Sequence, residues 1–187
     1  STRQRSEIQK HFQEYLHTGG IPLYVRNQND EYLKSLYNSI LYRDVLVRNR
    51  LTNEKEMLEL VHFLASNVAK LSSNNSLAKV IRVKNASTIK NYIDFLQNTY
   101  LLFQVYKYDV SLKKQLQNQK KTYFIDNGLV KKLGFMFSDN LGRLLENLVF
   151  IELMRRRKQV YYHKQKYECD FVIKDGNRIT EAFQVCY

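Results

Sequence analysis

The chain has 187 residues, of which 44% are hydrophobic and 26% are charged, and its formal net charge is +12. This length accommodates one medium-sized domain or two small ones, and the hydrophobic fraction excludes a wholly disordered chain. Two cysteines are too few for a disulfide framework, no signal-peptide pattern opens the sequence, and no run of about 18 apolar residues predicts a membrane span. We therefore expect a cytoplasmic protein with no membrane partner.

The positive charge is concentrated in three stretches. Residues 79–90 contain four basic residues and no acidic one, residues 107–121 contain five lysines and one aspartate, and residues 155–166 contain six basic residues and no acidic one. Clusters of this kind attract the phosphates of a nucleic acid and release counterions on binding. They predict DNA as a partner, with a basic surface that serves solubility alone as the alternative.

The first 51 residues predict two helices. Apolar residues recur at helical spacing over residues 6–16 and about 30–50. Two glycines at 19–20 followed by Pro22 separate the helices, because glycine supplies a left-handed cap and proline cannot continue a helix.

Three short helices and a two-stranded ribbon are predicted next. The helices cover residues 53–68, 76–83 and 88–97, and strands over 100–108 and 121–126 enclose a polar loop over 111–120. This order is typical of a winged helix, whose third helix enters the major groove while the ribbon contacts the DNA backbone.

The outer side of the third helix and the wing supply the predicted DNA contacts. They are Lys84, Ser87, Thr88, Lys90, Asn91, Lys113, Lys114, Lys120 and Lys121. Lysines and hydroxyl groups suit phosphates, and Asn91 suits adenine where it reaches a base edge. The alternative is a winged helix that serves as a spacer between protein partners.

The last third predicts a helix followed by three strands. Residues 141–157 are apolar on almost every side of a helix, which indicates burial. The strands cover residues 160–163, 168–174 and 178–186. Together with the helical part that precedes them, they predict an α+β fold.

Two acids in this last third suit metal chemistry. Glu146 lies in the apolar helix and Asp170 lies on the second strand. Phosphodiester cleavage uses such carboxylates to hold Mg²⁺ or Mn²⁺, which generates and orients the attacking water. A buried carboxylate must be paired, protonated or bound to metal, so the alternative is an ion pair between Glu146 and Arg143.

The last strand departs from the pattern of a metal-dependent nuclease, which has an acid and a lysine where this chain has Gln184 and Cys186. Neither of these is a good Mg²⁺ ligand. Glu181 is a further candidate, because a tight turn at residues 175–176 places it opposite Asp170. The residues predicted to be catalytic are therefore Glu146, Asp170, Glu181 and Gln184.

Other chemistries lack their motifs. The four histidines have no zinc-ligand spacing, and the cysteines form no paired motif. The sequence contains no glycine-rich loop that cradles phosphates, so we predict no ATP-binding residue in this chain.

Six short motifs occur in the order found in a known family. They are Gly19-Gly20-Ile21-Pro22, Arg43-Asp44, Tyr123-Phe124-Ile125-Asp126-Asn127-Gly128-Leu129, Gly142-x3-Glu146-Asn147, Glu168-x-Asp170-Phe171-Val172 and Gln184-Val185. With them the chain resembles the C-terminal half of prokaryotic AAA-type ATPases that carry a C-terminal domain of unknown function. This resemblance covers essentially the whole chain.

The resemblance implies an N-terminal P-loop core that binds ATP and lies outside this chain. Residues 1–51 then form the helical lid of that core, residues 52–134 a winged helix, and residues 135–187 a truncated restriction-endonuclease-like domain. Glu146 and Asp170 match the acids of that nuclease fold, whereas Gln184 departs from it. The resemblance therefore implies a nuclease-like domain with a degenerate site.

Our main expectation is a DNA-binding C-terminal module of an ATPase, with no cofactor of its own. The first alternative is an active Mg²⁺- or Mn²⁺-dependent DNA nuclease. The second is a non-enzymatic module that binds a protein partner, its own ATPase domain or a second copy of the chain.

Overall fold

The computed structural model describes residues 2–135, 141–176 and 178–187. These residues form a helical N-terminal part followed by two antiparallel three-stranded sheets with their helices, so the predicted α+β class is confirmed. Within these ranges, no helix is both long enough and apolar enough to cross a membrane.

The N-terminal part consists of α-helices and a π-helix. They are α1 (Thr2–Thr18), α2 (Pro22–Asn27), α3 (Asp30–Asn38) and the π-helix (Ser39–Val47). Asn29 defines the start of α3, because its side chain accepts a hydrogen bond of 2.9 Å from the backbone N–H of Glu31.

The π-helix divides the helix predicted over residues 30–50. From Ser39 to Val47 the backbone is wider, and two i→i+5 bonds lie just past its end, from the Arg48 N–H to the Arg43 carbonyl (3.3 Å) and from the Leu51 N–H to the Leu46 carbonyl (2.9 Å). Val45 and Leu46, which are adjacent in sequence, are both buried. The prediction was correct in extent and wrong in helix type, because apolar spacing does not distinguish an α-helix from the rare π form.

The middle of the chain forms the first sheet and its helices. The elements are α4 (Glu54–Ser66), β1 (Leu71–Ser72), α5 (Asn74–Ile81), α6 (Ala86–Asn98), β2 (Leu102–Val105), α7 (Leu112–Gln117) and β3 (Lys120–Phe124). The strand order is β1-β3-β2, and both pairings are antiparallel. The central strand β3 therefore pairs on both sides.

The helix α7 lies where the sequence predicts a polar loop, over residues 111–120. The hydroxyl of Ser111 caps it by accepting a hydrogen bond from the Lys114 N–H. The loop prediction was wrong over Leu112–Gln117, because Lys, Gln and Leu are strong helix formers even where no apolar face is buried.

The end of the chain forms the second sheet. This part of the chain contains the helices α8 (Asn127–Leu133) and α9 (Leu141–Arg155) and the strands β4 (Gln159–Lys164), β5 (Glu168–Asp175) and β6 (Arg178–Phe183). The strand order is β4-β5-β6, again antiparallel. The strand β5 is therefore central in this sheet.

The register of β5 and β6 differs from the predicted one. Asp175 pairs with Arg178, and a register shift between Ile173 and Lys174 places Ile173 opposite Glu181. The predicted pairing of Asp170 with Glu181 is wrong, because the turn lies one residue later than expected and a bulge follows it.

The helix α9 joins two hydrophobic cores. Leu144 and Leu148 pack into the core of the helical part. Phe150 packs into the second core, where its ring stacks on Tyr123 of β3 at a centroid distance of 4.5 Å. The ring of Phe171 on β5 lies 5.4 Å from Tyr123, so this aromatic cluster connects the two sheets.

The break after α1 is anchored to the end of β3. The carboxylate of Asp126 accepts hydrogen bonds from the N–H groups of Gly20 (2.6 Å) and Gly128 (2.8 Å). Gly19 has a φ of +76°, and a Cβ atom there would lie 2.2 Å from the Asp126 carboxylate. Glycine is therefore required at position 19 by both its conformation and its surroundings.

Candidate functional site

A buried group of charged side chains lies where the two sheets meet. The ammonium of Lys121 is 2.9 Å from a carboxylate oxygen of each of three acids, Glu146, Glu168 and Asp170. The Lys121 side chain is only 3% exposed. We call these four residues the acid cluster.

Strand alternation explains how the acid cluster is assembled. Lys121 and Tyr123 are two residues apart on β3, so both side chains point from that strand toward the second sheet. Glu168 and Asp170 are likewise two residues apart on β5. Glu146 reaches the same point from α9, which packs against both sheets.

The carboxylates have further hydrogen-bond donors. The Tyr123 hydroxyl donates to Glu146 (2.6 Å), and the ammonium of Lys164 lies 2.8 Å from Glu168. The second oxygen of Asp170 accepts from the side-chain amide of Gln184 (2.7 Å) and from the backbone N–H of Val185 (3.0 Å). Each acid is therefore held by at least two donors, as buried carboxylates require.

The electrostatics of the acid cluster favour a charged lysine. Burial acts to lower the pKa of Lys121, but the surrounding carboxylates, Glu146 first, outweigh it and raise that pKa above its ordinary value. Burial raises the pKa of Glu146, although Lys121 and Tyr123 oppose the shift. Burial also acts to raise the pKa of Glu168, but Lys164 and Lys121 prevail and lower it.

The donor set of this site does not fit a divalent metal ion. Mg²⁺ and Mn²⁺ need oxygen atoms with free lone pairs. Here an ammonium group lies between the acids, and the amide of Gln184 directs its N–H at Asp170. Among the residues that the structure describes, no group of three or more His, Cys, Asp or Glu side chains is arranged to hold a metal.

The structure brings together three of the four predicted catalytic residues. Glu146 and Asp170 share the ammonium of Lys121, and Gln184 contacts Asp170. Glu181 lies elsewhere, with its carboxylate 2.6 Å from the ammonium of Lys158. The predicted pairing of Glu181 with Asp170 was wrong, because the register of β5 and β6 places Ile173 opposite Glu181.

Sequence reasoning missed the partners of Glu146. The alternative of an ion pair with Arg143 gives way to Lys121 and Tyr123 of β3. Lys121 was assigned to the DNA surface, but its burial leaves it unable to contact a phosphate. The sequence offered one signal for this contact, which is that Lys121 directly precedes the buried run Thr122–Phe124. A lysine that is buried with such a run needs an anion inside the protein.

A second candidate site is the exposed basic surface of α6 and the wing. Of the nine predicted DNA contacts, Lys84, Ser87, Lys90, Asn91, Lys113 and Lys114 are exposed, while Thr88 and Lys120 are half-buried. The starts of α5 and α6 and the end of α7 enclose a cleft of about 340 Å³, which Lys90 and Lys120 help to line. Burial, and then the charge of Lys90, lowers the pKa of Lys120.

The chain belongs to a family described as a domain of unknown function (DUF8612), which matches residues 9–140. The match contains the basic surface and Lys121, while the three acids of the acid cluster follow it in sequence.

Two relatives extend over nearly the whole chain. The uncharacterized protein MJ1544 of Methanocaldococcus jannaschii is 34% identical over 200 residues, which cover 100% of this chain and 44% of that protein. An uncharacterized protein of Haemophilus influenzae is 29% identical over 180 residues, which cover 92% of this chain and 45% of that protein. The chain thus spans less than half the length of these curated relatives. No solved structure matches the chain.

Proposed function

We propose that this chain is the DNA-binding C-terminal region of an AAA-type ATPase, in which a winged helix contacts DNA and the second sheet belongs to a nuclease-like unit that does not cleave. The observation that carries the proposal is the arrangement of the elements between Glu54 and Phe124. A helix, a strand, two helices, a strand, the short helix α7 and a last strand follow one another, and β3 lies between β1 and β2. In a winged helix this arrangement presents the third helix and the last hairpin to one DNA duplex.

The charges on this surface support DNA as the ligand. Lys84 and Lys90 flank the start of α6, and Lys113 and Lys114 lie on α7 within the last hairpin. All four are exposed, so they are free to approach phosphates. Lys120 rests over the ring of Tyr106, with its ammonium 5.1 Å from the ring centroid, and adds charge between α6 and the hairpin.

The ATPase part of the proposal depends on sequence order and on length. The six motifs resemble the C-terminal half of AAA-type ATPases, and more than half of each relative lies outside the matched region. That remainder has room for a P-loop core. Residues 1–51 would then act as its lid, and ATP would be the ligand of that core.

The nuclease-like part is proposed without catalytic activity. A helix acid, Glu146, and a strand acid, Asp170, converge as metal-dependent nucleases require. The donors around Asp170 occupy the positions that metal ions need, so the active-nuclease alternative has no support from this geometry.

DNA binding is tested by measuring the affinity of the 187-residue chain for a labelled duplex by fluorescence anisotropy across a salt series. We expect the affinity to fall steeply with salt, because phosphate contacts release counterions. The double variant Lys113→Ala/Lys114→Ala should bind more weakly and reduce the slope of log K against log salt by about 1.8, since each lost contact contributes about 0.9.

The matched control is the double variant Lys10→Ala/Lys34→Ala, which removes two exposed lysines from α1 and α3. It should bind DNA with nearly the slope of the parent. A weak and salt-independent response of the parent chain would contradict the proposal, as would equal slope losses in the two double variants.

A further inference from the structure

We propose that Lys121 is an internal cation that takes the place of a metal ion among the three acids and so joins the two sheets without metal. This goes beyond the proposed DNA binding, because it assigns a role to the site at the sheet junction. The acid cluster is then an ionic connection between the basic surface and the nuclease-like sheet.

The geometry of the ammonium group carries the proposal. An ammonium has three N–H donors, and Lys121 lies at the same distance, 2.9 Å, from one oxygen each of Glu146, Glu168 and Asp170. The contacts with Glu146 and Asp170 have hydrogen-bond geometry, and the contact with Glu168 is an ion pair. A bound Mg²⁺ requires oxygen atoms at about 2.0–2.1 Å, so the acids would have to close in after the lysine left.

Burial and strand pairing both hold the lysine in place. Its side chain is 3% exposed, and Thr122 and Tyr123, which follow it on β3, are buried as well. Because β3 is paired on both edges, the backbone at Lys121 cannot swing outward without breaking the first sheet. A metal would have to displace an ammonium that is almost fully buried.

The far side of Asp170 is closed to metal as well. Its second oxygen accepts from the amide of Gln184 and from the backbone N–H of Val185. The amide can turn its oxygen toward an ion, but a backbone N–H remains a donor and repels one. This contact lies just beyond the end of β6, where Gln184 stands in place of the acid of a metal-dependent nuclease.

The charge balance agrees with an internal cation. Three carboxylates face two ammonium groups, those of Lys121 and Lys164. Removal of Lys121 leaves three acids near one partly exposed lysine, and like charges at this distance repel unless a cation separates them. The variant Lys121→Ala should therefore acquire the affinity for a divalent cation that the parent lacks.

The experiment measures thermal unfolding of the 187-residue chain with EDTA, with Mg²⁺ and with Mn²⁺, for the parent and for Lys121→Ala. The parent should have the same midpoint in all three solutions. The variant should melt at a lower temperature in EDTA, and Mn²⁺ should raise its midpoint by about 5 °C or more when present at roughly 100 times its Kd. Lys164→Ala removes the more exposed ammonium and should gain no response to Mn²⁺.

Two outcomes of the unfolding experiment would overturn the proposal. One is that Mn²⁺ raises the unfolding midpoint of the parent but not that of the Asp170→Asn variant. The other is a folded Lys121→Ala variant that is indifferent to both ions. If Lys121→Ala does not fold, the parent is titrated with Mn²⁺, and binding is measured as the loss of the paramagnetic resonance signal of the free ion. No bound Mn²⁺ supports the internal cation, and one bound ion per chain refutes it.

Discussion

Glu146 and Glu168 contact the same ammonium of Lys121, yet their pKa values move in opposite directions. Burial controls Glu146 and raises its pKa. Glu168 is 34% exposed and faces a second ammonium, that of Lys164, so the attractions exceed the effect of burial and its pKa falls. The shared lysine lowers both pKa values, so the opposite directions arise from the other surroundings of each acid.

The lowered pKa of Glu168 predicts part of the acid sensitivity of the fold. A carboxylate whose pKa is lower in the folded protein contributes stability above its ordinary value of 4.5, and this contribution is lost as the pH falls through the folded-state value. Urea unfolding of the parent between about pH 6 and pH 3 should show this loss below pH 4.5, and Glu168→Gln should show a shallower decline.

Lys164→Met tests the cause of that effect, because it keeps the carboxylate of Glu168 and removes one of its two ammonium partners. Its acid profile should lie between those of the parent and Glu168→Gln. Indistinguishable profiles for all three proteins would show that Glu168 does not couple to folding.

The connections between elements depend on a few backbone positions with special requirements. Gly19 and Gly176 both have positive φ values, +76° and +56°. A Cβ at Gly19 would collide with Asp126, whereas a Cβ at Gly176 would meet nothing within 4 Å. Substitution of Gly176 therefore measures the free-energy cost of the backbone conformation alone, whereas substitution of Gly19 adds the cost of a steric clash.

Alanine substitution at these glycines should give unequal losses of stability. Gly176→Ala should cost about 1–2 kcal/mol, which is the strain of a left-handed alanine. Gly19→Ala should cost about 3–5 kcal/mol, because it also displaces the carboxylate of Asp126 from its N–H donors. Denaturant unfolding measures both, and equal losses would contradict the contact between Gly19 and Asp126.

Local sequence patterns predicted most of the helices, but they did not predict the elements that depend on pairing with a distant strand. Helix α6 has an apolar face that is read directly from its spacing, with Ile89, Tyr92 and Ile93 all buried. The two residues of β1 exist only because they pair with β3, and no local signal marks them. The turn between β5 and β6 lies one residue later than predicted because sheet packing, including the bulge between Ile173 and Lys174, set the register.

At the scale of the whole molecule, one buried amide links helices and a strand that are far apart in sequence. Asn147 of α9 is fully buried, accepts from the N–H of Phe124 (2.8 Å) and donates to the side chain of Asn127 (2.9 Å). Asn127 in turn donates to the carbonyls of Leu16 (2.9 Å) and Leu144 (3.0 Å). Helix α1, strand β3 and helices α8 and α9 therefore share one hydrogen-bond network.

This network predicts that the chain unfolds as a unit. Asn147→Ala leaves several buried groups without partners, at about 1–3 kcal/mol each, so we expect a loss of about 3–5 kcal/mol in a single cooperative transition. The exposed Asn98→Ala serves as the control and should stay within about 0.5 kcal/mol of the parent. Calorimetry that resolves two separate transitions in the parent would contradict this coupling.

Periodicity and residue chemistry over short ranges were enough to predict the α+β class, the extent of most helices, and the membership of Glu146 and Asp170 in one candidate site. The group that lies between those acids became visible only in the folded protein. Lys121 precedes Glu146 by 25 residues and Asp170 by 49, and no local pattern specifies a contact across such distances. Packing of β3 against the second sheet turned a lysine predicted for the DNA surface into the buried partner of three carboxylates.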